Sequence, residues 1–116
     1  MPDILVELQS IQELNEALQE SFDRPVLLFK HSLTCPISSR AFDAFQSYLA
    51  KAGPNISCRL IIVQNAYDVS KDLASRLRLE HQSPQAILVR NGREVWNASH
   101  YDITASSLEQ AIRHSR

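Results

Sequence analysis

The sequence predicts an α/β domain in which helices flank a mixed central sheet. Two observations predict this class: apolar, strand-like runs alternate with stretches of helical periodicity, and the last two strand-like runs are joined directly by Asn91-Gly92. Strands separated by helices pair in parallel, whereas a hairpin adds an antiparallel strand. The 116 residues suffice for one hydrophobic core, so a single domain is expected over residues 1–116.

The first strand and helix are predicted from a short apolar stretch followed by a capping signal. "ILVEL" (residues 4–8) is the strand candidate. Ser10 then precedes Glu13 by three residues, the spacing at which the two side chains cap a helix reciprocally. Apolar residues follow at helical spacing: Ile11, Leu14 and Leu18.

The second strand and helix lie on either side of a cysteine. "PVLLFKHS" contains four consecutive apolar residues, 26–29, which is typical of a strand buried on both faces. Pro36 suits the first turn of the helix, where its missing N–H has no intrahelical bond to lose. "AGPN" (residues 52–55) ends the helix. The apolar face of this helix is predicted to be Ile37, Ala41, Phe45, Tyr48 and Ala52.

The remainder of the chain supplies three strands and two helices. "ISCRLIIVQ" holds an apolar run, 60–63, that predicts a third buried strand, and a helix is expected over about residues 70–79. "PQAILVRNGREVWN" predicts a hairpin, because its central Asn-Gly pair tolerates the positive φ of a tight turn. "TASSLEQAIRHS" predicts a closing helix, with Thr104 or Ser106 as its cap.

The order of elements is therefore β-α-β-α-β-α-β-β-α. The three βα units predict parallel pairing, and the final hairpin adds antiparallel strands. A mixed sheet of this order with helices on both faces is the thioredoxin topology. An ordinary open α/β sheet is the alternative, although a helix normally separates its last strands.

Composition and charge exclude several function classes. The formal net charge is −1 without a basic block, so neither nucleic acid nor an anionic membrane is an expected partner. Only two glycines occur, Gly53 and Gly92, which excludes the glycine-rich loops that bind phosphates and dinucleotides. No stretch has the features of a signal peptide or the length of a membrane span. With two cysteines and no export signal, the protein is expected in the cytoplasm with reduced thiols.

Cys35 is the candidate nucleophile, because it lies where the second predicted strand gives way to a helix. The first amides of a helix have no internal partner, and the helix dipole places partial positive charge there. Both effects favour the thiolate, which is the attacking form. The alternative is a small buried hydrophobic residue, since unpaired cysteine is among the most buried residue types.

The partner expected in a dithiol site is missing, because Ser38 stands where Cys-x-x-Cys would place a second cysteine. Its hydroxyl either donates to the Cys35 thiolate or bonds local backbone, and the sequence leaves both open. Cys58 is expected to be a core residue. About five strand residues, or roughly 17 Å, would separate it from the sheet end that carries Cys35, against a Cα limit of about 7 Å for a disulfide.

The four histidines do not predict a metal site. No cysteine or histidine spacing matches a zinc motif, so no metal is expected. His31 either stabilises the Cys35 thiolate or transfers a proton, or it is simply a polar residue at the end of a strand. His114 is expected to be exposed near the C-terminus.

Three segments together carry a resemblance to a known family: "KHSLTCPIS", "HQSPQAILVRNGREVW" and "ASHYDIT". In order and over nearly the whole chain, the sequence resembles the YtxJ-type monothiol bacilliredoxins, thioredoxin-fold proteins of bacteria that use bacillithiol. The motif of Thr34, Cys35, Pro36 and Ser38 with a downstream Ser-Pro-Gln is the specific part. Gln82 departs from the family pattern, which often has an acid there.

The resemblance implies an enzyme that removes bacillithiol from cysteines of oxidised client proteins, with Cys35 as nucleophile and bacillithiol as co-substrate rather than a bound cofactor. It also implies a cis bond between Ser83 and Pro84, facing Cys35 and receiving the substrate. His31, His81 and His100 match histidines of the family pattern, without a role that carries over.

A monothiol site agrees with such chemistry, because thiolate exchange needs one nucleophile and a leaving group rather than two protein sulfurs. Two other functions stay open at this level. One is a glutaredoxin-like carrier in which Cys35 and a small thiol bind an iron–sulfur cluster between two chains. The other is a non-catalytic binding module of the same fold, for which Cys35 is dispensable.

Overall fold

A computed structural model describes residues 5–52 and 55–114. Within these residues, five strands and four α-helices follow one another in the expected order, with a short 3₁₀ helix at His100–Asp102 before the last α-helix. The strands are β1 (Val6–Glu7), β2 (Val26–His31), β3 (Ser57–Ile62), β4 (Gln85–Arg90) and β5 (Arg93–Ser99). The helices are α1 (Ile11–Glu20), α2 (Pro36–Leu49), α3 (Tyr67–Leu77) and α4 (Ala105–His114).

The strands form one mixed sheet in the order β1-β3-β2-β4-β5. β3 pairs in parallel with both β1 and β2, whereas β4 is antiparallel to β2 and to β5. The hairpin turn has positive φ at both Asn91 and Gly92, as the Asn-Gly pair predicts. The predicted α/β class, element order and mixed pairing are confirmed.

Alternation along the central strands divides the core into two layers. Leu27 and Phe29 of β2 pack with α2 and α4, where Phe45 and Leu108 are fully buried. The intervening residues of β2 face the opposite layer and pack with α1 and α3. β2 and β4 are buried on both faces along most of their length, which is why their sequences contain continuous apolar runs.

Several predicted boundaries need adjustment. The third helix spans Tyr67–Leu77, so the prediction of residues 70–79 was wrong at both ends: Arg78 takes a left-handed conformation that ends the helix. Of the predicted first strand, Val6–Glu7 is a strand and Ile4 lies outside the described residues. Gly53 and Pro54 of the predicted helix stop also lie outside them.

The helix caps follow the sequence closely. Ser10 Oγ accepts from the Glu13 N–H at 3.1 Å, and the Glu13 carboxylate accepts from the Gln9 N–H, one residue before the cap. Of the two candidates for α4, Thr104 is the cap, because its hydroxyl accepts from the Ser107 N–H at 3.0 Å.

Candidate active site

The candidate residues meet at one end of the sheet because of how β2 and β4 pair. β2 ends at His31, and its residue Lys30 lies opposite Gln85, the first residue of β4. The turn that follows β2 and the segment that precedes β4 therefore lie at the same end of the sheet. Cys35 belongs to the first of these segments and Pro84 to the second.

Cys35 is the N-cap residue of α2, with extended backbone at φ −105° and ψ 120°. Its side chain makes no capping hydrogen bond, and the first turn of α2 contains no acidic residue. Pro36 occupies the first helical position, as predicted. Cys35 is partly exposed, so its sulfur sits at the positive end of the helix with access to solvent.

The turn between β2 and Cys35 is held from the side by Gln64. The Leu33 N–H donates to Gln64 Oε1 at 3.1 Å, and Gln64 Nε2 donates to Ser32 Oγ at 3.0 Å. Thr34 is exposed, with its hydroxyl 3.5 Å from that of Ser32. Leu33, two residues before Cys35 in the chain, is 59% exposed, so an apolar side chain is available there to contact a substrate.

Ser38 is fully buried and bonds its local surroundings. Its Oγ accepts from the Ser32 N–H at 2.9 Å and lies 2.8 Å from His31 Nδ1. Both contacts are satisfied when the Ser38 hydroxyl donates to Nδ1 of a neutral imidazole ring. The structure thus contains the local-backbone alternative for Ser38, and the hydroxyl fastens the first turn of α2 to the end of β2.

His31 is packed as an aromatic residue. Its ring stacks on Phe42 with centroids 4.7 Å apart, and on Phe29 at 6.0 Å. Burial lowers the pKa of His31 below its usual value, which favours the neutral ring over the cation that would stabilise a thiolate. These contacts agree with a polar residue at a strand end, which also positions Ser38.

The Ser83–Pro84 peptide bond is cis, as the resemblance implied. Within the described part of the chain, Ser83 makes no backbone hydrogen bond, and its buried Oγ has no partner. The buried side chain of Gln85 fixes the approach to this bond: Oε1 accepts from the Gln82 N–H, and Nε2 donates to the Glu80 carbonyl, both at 3.3 Å. The contact that the structure gives Gln82 is therefore through its backbone N–H, which is held by the Gln85 side chain.

Lys30 is a site residue that the sequence reasoning missed. It is fully buried, and its Nζ lies 3.1 Å from His81 Nδ1, which is also 3.3 Å from Ser70 Oγ. Burial lowers the pKa of Lys30 to about 8. The pKa of His81 is lowered by burial and by the nearby Lys30 charge. The available signal was a lysine inside an apolar strand, since lysine is rarely buried without a partner.

The histidines of the family pattern occupy three separate positions. His31 contacts Ser38, His81 contacts Lys30, and His100 begins the 3₁₀ helix with φ +55°. The His100 N–H donates to the Pro84 carbonyl at 3.2 Å, so this histidine meets the cis proline through its backbone. Among the described residues, no three cysteine, histidine or acidic side chains cluster as metal ligands.

Cys58 lies in β3 opposite Leu27, near the start of β2 and away from its His31 end. It is buried in the layer of α2 and α4, and neither it nor Cys35 is in a disulfide. Within the described part of the chain, no helix is long and apolar enough to cross a membrane.

Comparison with known proteins agrees with this geometry. Residues 6–108 match the family of the monothiol bacilliredoxin BrxC. A thioredoxin-fold protein described as an oxidoreductase is 38% identical, with a TM-score of 0.83 and 93% of each chain covered. Thioredoxin of Malassezia sympodialis is 13% identical with a TM-score of 0.77, covering 98% of this chain and 93% of its own. Fasciola hepatica thioredoxin is 16% identical at 0.75, covering 97% and 100%.

Proposed function

We propose that this chain, which belongs to the monothiol bacilliredoxin family and is a thiol oxidoreductase, removes bacillithiol from mixed disulfides on oxidised proteins of the cytoplasm. Cys35 is the nucleophile, and bacillithiol is a co-substrate. The observation that supports this most is the state of the fourth motif position. Ser38 is buried and bonded to His31 and Ser32, which leaves Cys35 as the one sulfur of the motif.

The reaction consists of two thiol–disulfide exchanges. In the first, the Cys35 thiolate attacks the bacillithiol sulfur of the mixed disulfide; the new S–S bond forms on Cys35, and the client cysteine leaves as a thiolate. In the second, a free bacillithiol thiolate attacks the bacillithiol sulfur held on Cys35. The Cys35 thiolate leaves, and bacillithiol disulfide is the product. Overall, the client cysteine returns to the thiol state while the second bacillithiol becomes half of a disulfide, so one disulfide replaces another and no further oxidant or reductant is needed.

Ser38 prevents the protein from resolving the Cys35–bacillithiol disulfide internally, because a hydroxyl group cannot attack a disulfide and displace a thiolate. With a cysteine at this position, the adduct on Cys35 would be resolved within the protein, and an internal disulfide would compete with exchange. With serine, the adduct persists until a second small thiol arrives.

The segment before the cis proline is proposed to receive the client. Ser83 has no hydrogen-bond partner in the described part of the chain, and buried polar groups without partners are costly. The Ser83 backbone makes no hydrogen bond with another backbone group of the described residues, so it can pair with an extended client segment, as the edge of a sheet pairs with a peptide. Gln85 holds the preceding residues in place for this contact.

The reaction is tested with a protein that carries a bacillithiol mixed disulfide. Wild-type protein is expected to release the client thiol and to gain one bacillithiol on Cys35, read by intact mass. Added bacillithiol then clears the adduct. Cys35→Ser is expected to reduce client release to the uncatalysed rate, whereas Cys58→Ser, the matched control, leaves it nearly unchanged. Ser38→Cys is expected to shorten the lifetime of the adduct by supplying an internal resolving thiol.

A Cys35→Ser variant that released the client at the wild-type rate would contradict the proposal. The fold would then serve as a binding module rather than as an oxidoreductase. Transfer of the client itself onto Cys35, with bacillithiol as leaving group, would contradict the direction of attack.

A further inference from the structure

We infer that a groove along the first turns of α2, the helix that begins after Cys35, binds the malyl and sugar part of bacillithiol, with Arg40 contacting the malyl carboxylates. This inference rests on the proposed function, since it concerns the small-thiol half of the same substrate. Bacillithiol consists of cysteine joined to glucosamine, which carries malate. Its sulfur and its two malyl carboxylates therefore lie at opposite ends of the molecule.

The groove has a volume of about 250 Å³ and lies between α2 and the segment that follows β5. Ile37 and Arg40 line one wall, and His100 and Tyr101 line the other. Along the axis of α2, Ile37 lies about 3 Å and Arg40 about 7.5 Å beyond Cys35. The groove thus begins within one turn of Cys35 along the axis of α2, and its other wall is tied to the cis proline, because the His100 N–H donates to the Pro84 carbonyl.

The charge of the groove favours an anionic ligand. Arg40 is exposed and takes part in none of the ion pairs within residues 5–52 and 55–114. No acidic residue lines the groove; Asp102 follows Tyr101 in the chain but is not part of the lining. An unpaired guanidinium group can bind a carboxylate through two parallel hydrogen bonds, and malate offers two carboxylates.

The remaining wall suits the sugar. Tyr101 is 65% exposed, so its ring offers an apolar face and its hydroxyl a polar edge to a ligand. His100 fixes this wall in place: its N–H bonds the Pro84 carbonyl, and its φ of +55° is a conformation that non-glycine residues rarely adopt. Arg78 and Asn91 share that conformation, at a helix end and in the hairpin turn. His100 has neither role, and such residues gather at binding sites.

The test compares two small disulfides that differ only in the malyl group: bacillithiol disulfide and the disulfide of cysteinyl-glucosamine. The Cys35 thiolate attacks one sulfur of either molecule, a new S–S bond forms on Cys35, and the other half leaves as a thiolate. No further oxidant or reductant is needed. The measured quantity is the ratio of the two rates of adduct formation, read by intact mass. Because both rates come from one protein sample, a partly misfolded fraction does not change the ratio.

Wild-type protein is expected to prefer bacillithiol disulfide by roughly two- to fivefold, the effect of one exposed ion pair. Arg40→Ala is expected to bring the ratio close to one, and Arg40→Lys to retain part of the preference. Arg93→Ala, which removes the same charge from an exposed position at the start of β5, keeps the wild-type ratio. The preference should also fall as salt concentration rises.

Two failures are distinguishable. An equal ratio in wild-type protein and in Arg40→Ala, with both disulfides still reacting at Cys35, would overturn the groove assignment and leave the proposed function intact. If Cys35 reacted with neither disulfide faster than a cysteine in an unstructured peptide does, the proposed function would fail as well.

Discussion

The two ends of the central sheet differ in what their polar groups contact. At the hairpin end, which carries the Asn91-Gly92 turn and Cys58, polar groups bond one another: Ser21 Oγ accepts from the Gly92 N–H at 2.8 Å, and Arg59 pairs with Glu20 at 2.9 Å. At the thiol end, which carries Cys35 and Pro84, Cys35 makes no capping bond and Ser83 Oγ is unpartnered within the described residues.

The difference distinguishes polar groups that stabilise the fold from polar groups that are available to contact a substrate. The bonds described for the hairpin end stabilise the fold, although Nη1 of Arg90, at the end of β4, is buried there without a hydrogen-bond partner among the described residues. At the thiol end, the bonds that do form, such as Ser38 with Ser32 and Gln85 with Gln82, hold the segments on either side of the site. The groups left over at this end, on Cys35 and Ser83, are those that we propose a substrate contacts.

The largest expected effect is in the reactivity of the two cysteines. In native protein at pH 7, iodoacetamide should label Cys35 at least about a hundredfold faster than Cys58, because Cys58 reacts only after local opening of a buried strand. Cys35 is partly exposed, whereas Cys58 is buried. The rates are read by peptide mass spectrometry. In denaturant the two should become similar, and comparable labelling in native protein would remove the distinction between the ends.

A second prediction concerns the free-energy cost of burying the charged Lys30 side chain at the thiol end. Its pKa is about 8 in the folded protein, against 10.5 when unperturbed. Below pH 8 both states carry the proton, and the folded state bears the cost of a buried cation. Between pH 8 and 10.5 only the unfolded chain keeps the proton, so the free energy of unfolding rises with pH by roughly 2 to 3 kcal/mol.

Lys30→Met removes this dependence and keeps a chain of similar length. The difference in unfolding free energy between wild type and Lys30→Met is expected to change in favour of wild type from pH 8 to 10.5, as measured by chemical denaturation. Lys51→Met, at an exposed lysine, should follow the wild-type curve throughout. Parallel curves for wild type and Lys30→Met would show that burial does not shift this lysine.

The smallest expected effect is at the hairpin end. Ser21→Ala leaves the Gly92 N–H without its acceptor, which should lower the free energy of unfolding by about 1 to 3 kcal/mol. The alkylation rate of Cys35 should stay the same, because Ser21 bonds only groups of its own end. Ser75→Ala, at an exposed helix position, is the control for stability. A change in Cys35 reactivity in Ser21→Ala would show that the two ends are coupled.

The order of elements, the mixed sheet and the position of Cys35 could all be predicted from the sequence. These follow from local signals: the apolar run of β2, Pro36 in a first turn, the Asn-Gly pair of the hairpin. Each acts within a few residues, so it can be interpreted before any folding is known. The C-terminal boundary of α3 was harder to predict, because the residue that ends it in a left-handed conformation is Arg78 rather than the glycine that usually signals such an end.

Which side chains surround Cys35 depends on the tertiary structure. Lys30 and His81 are 51 positions apart in sequence, and their contact depends on how β2, α3 and the segment before β4 come together. Gln64 reaches the turn before Cys35 for the same reason. The fourth motif position illustrates both levels: the sequence placed a serine there, and only packing decided that its hydroxyl bonds His31 and Ser32. Hydrogen bonds between distant residues have no local signature, because their geometry is set by strand register and helix packing.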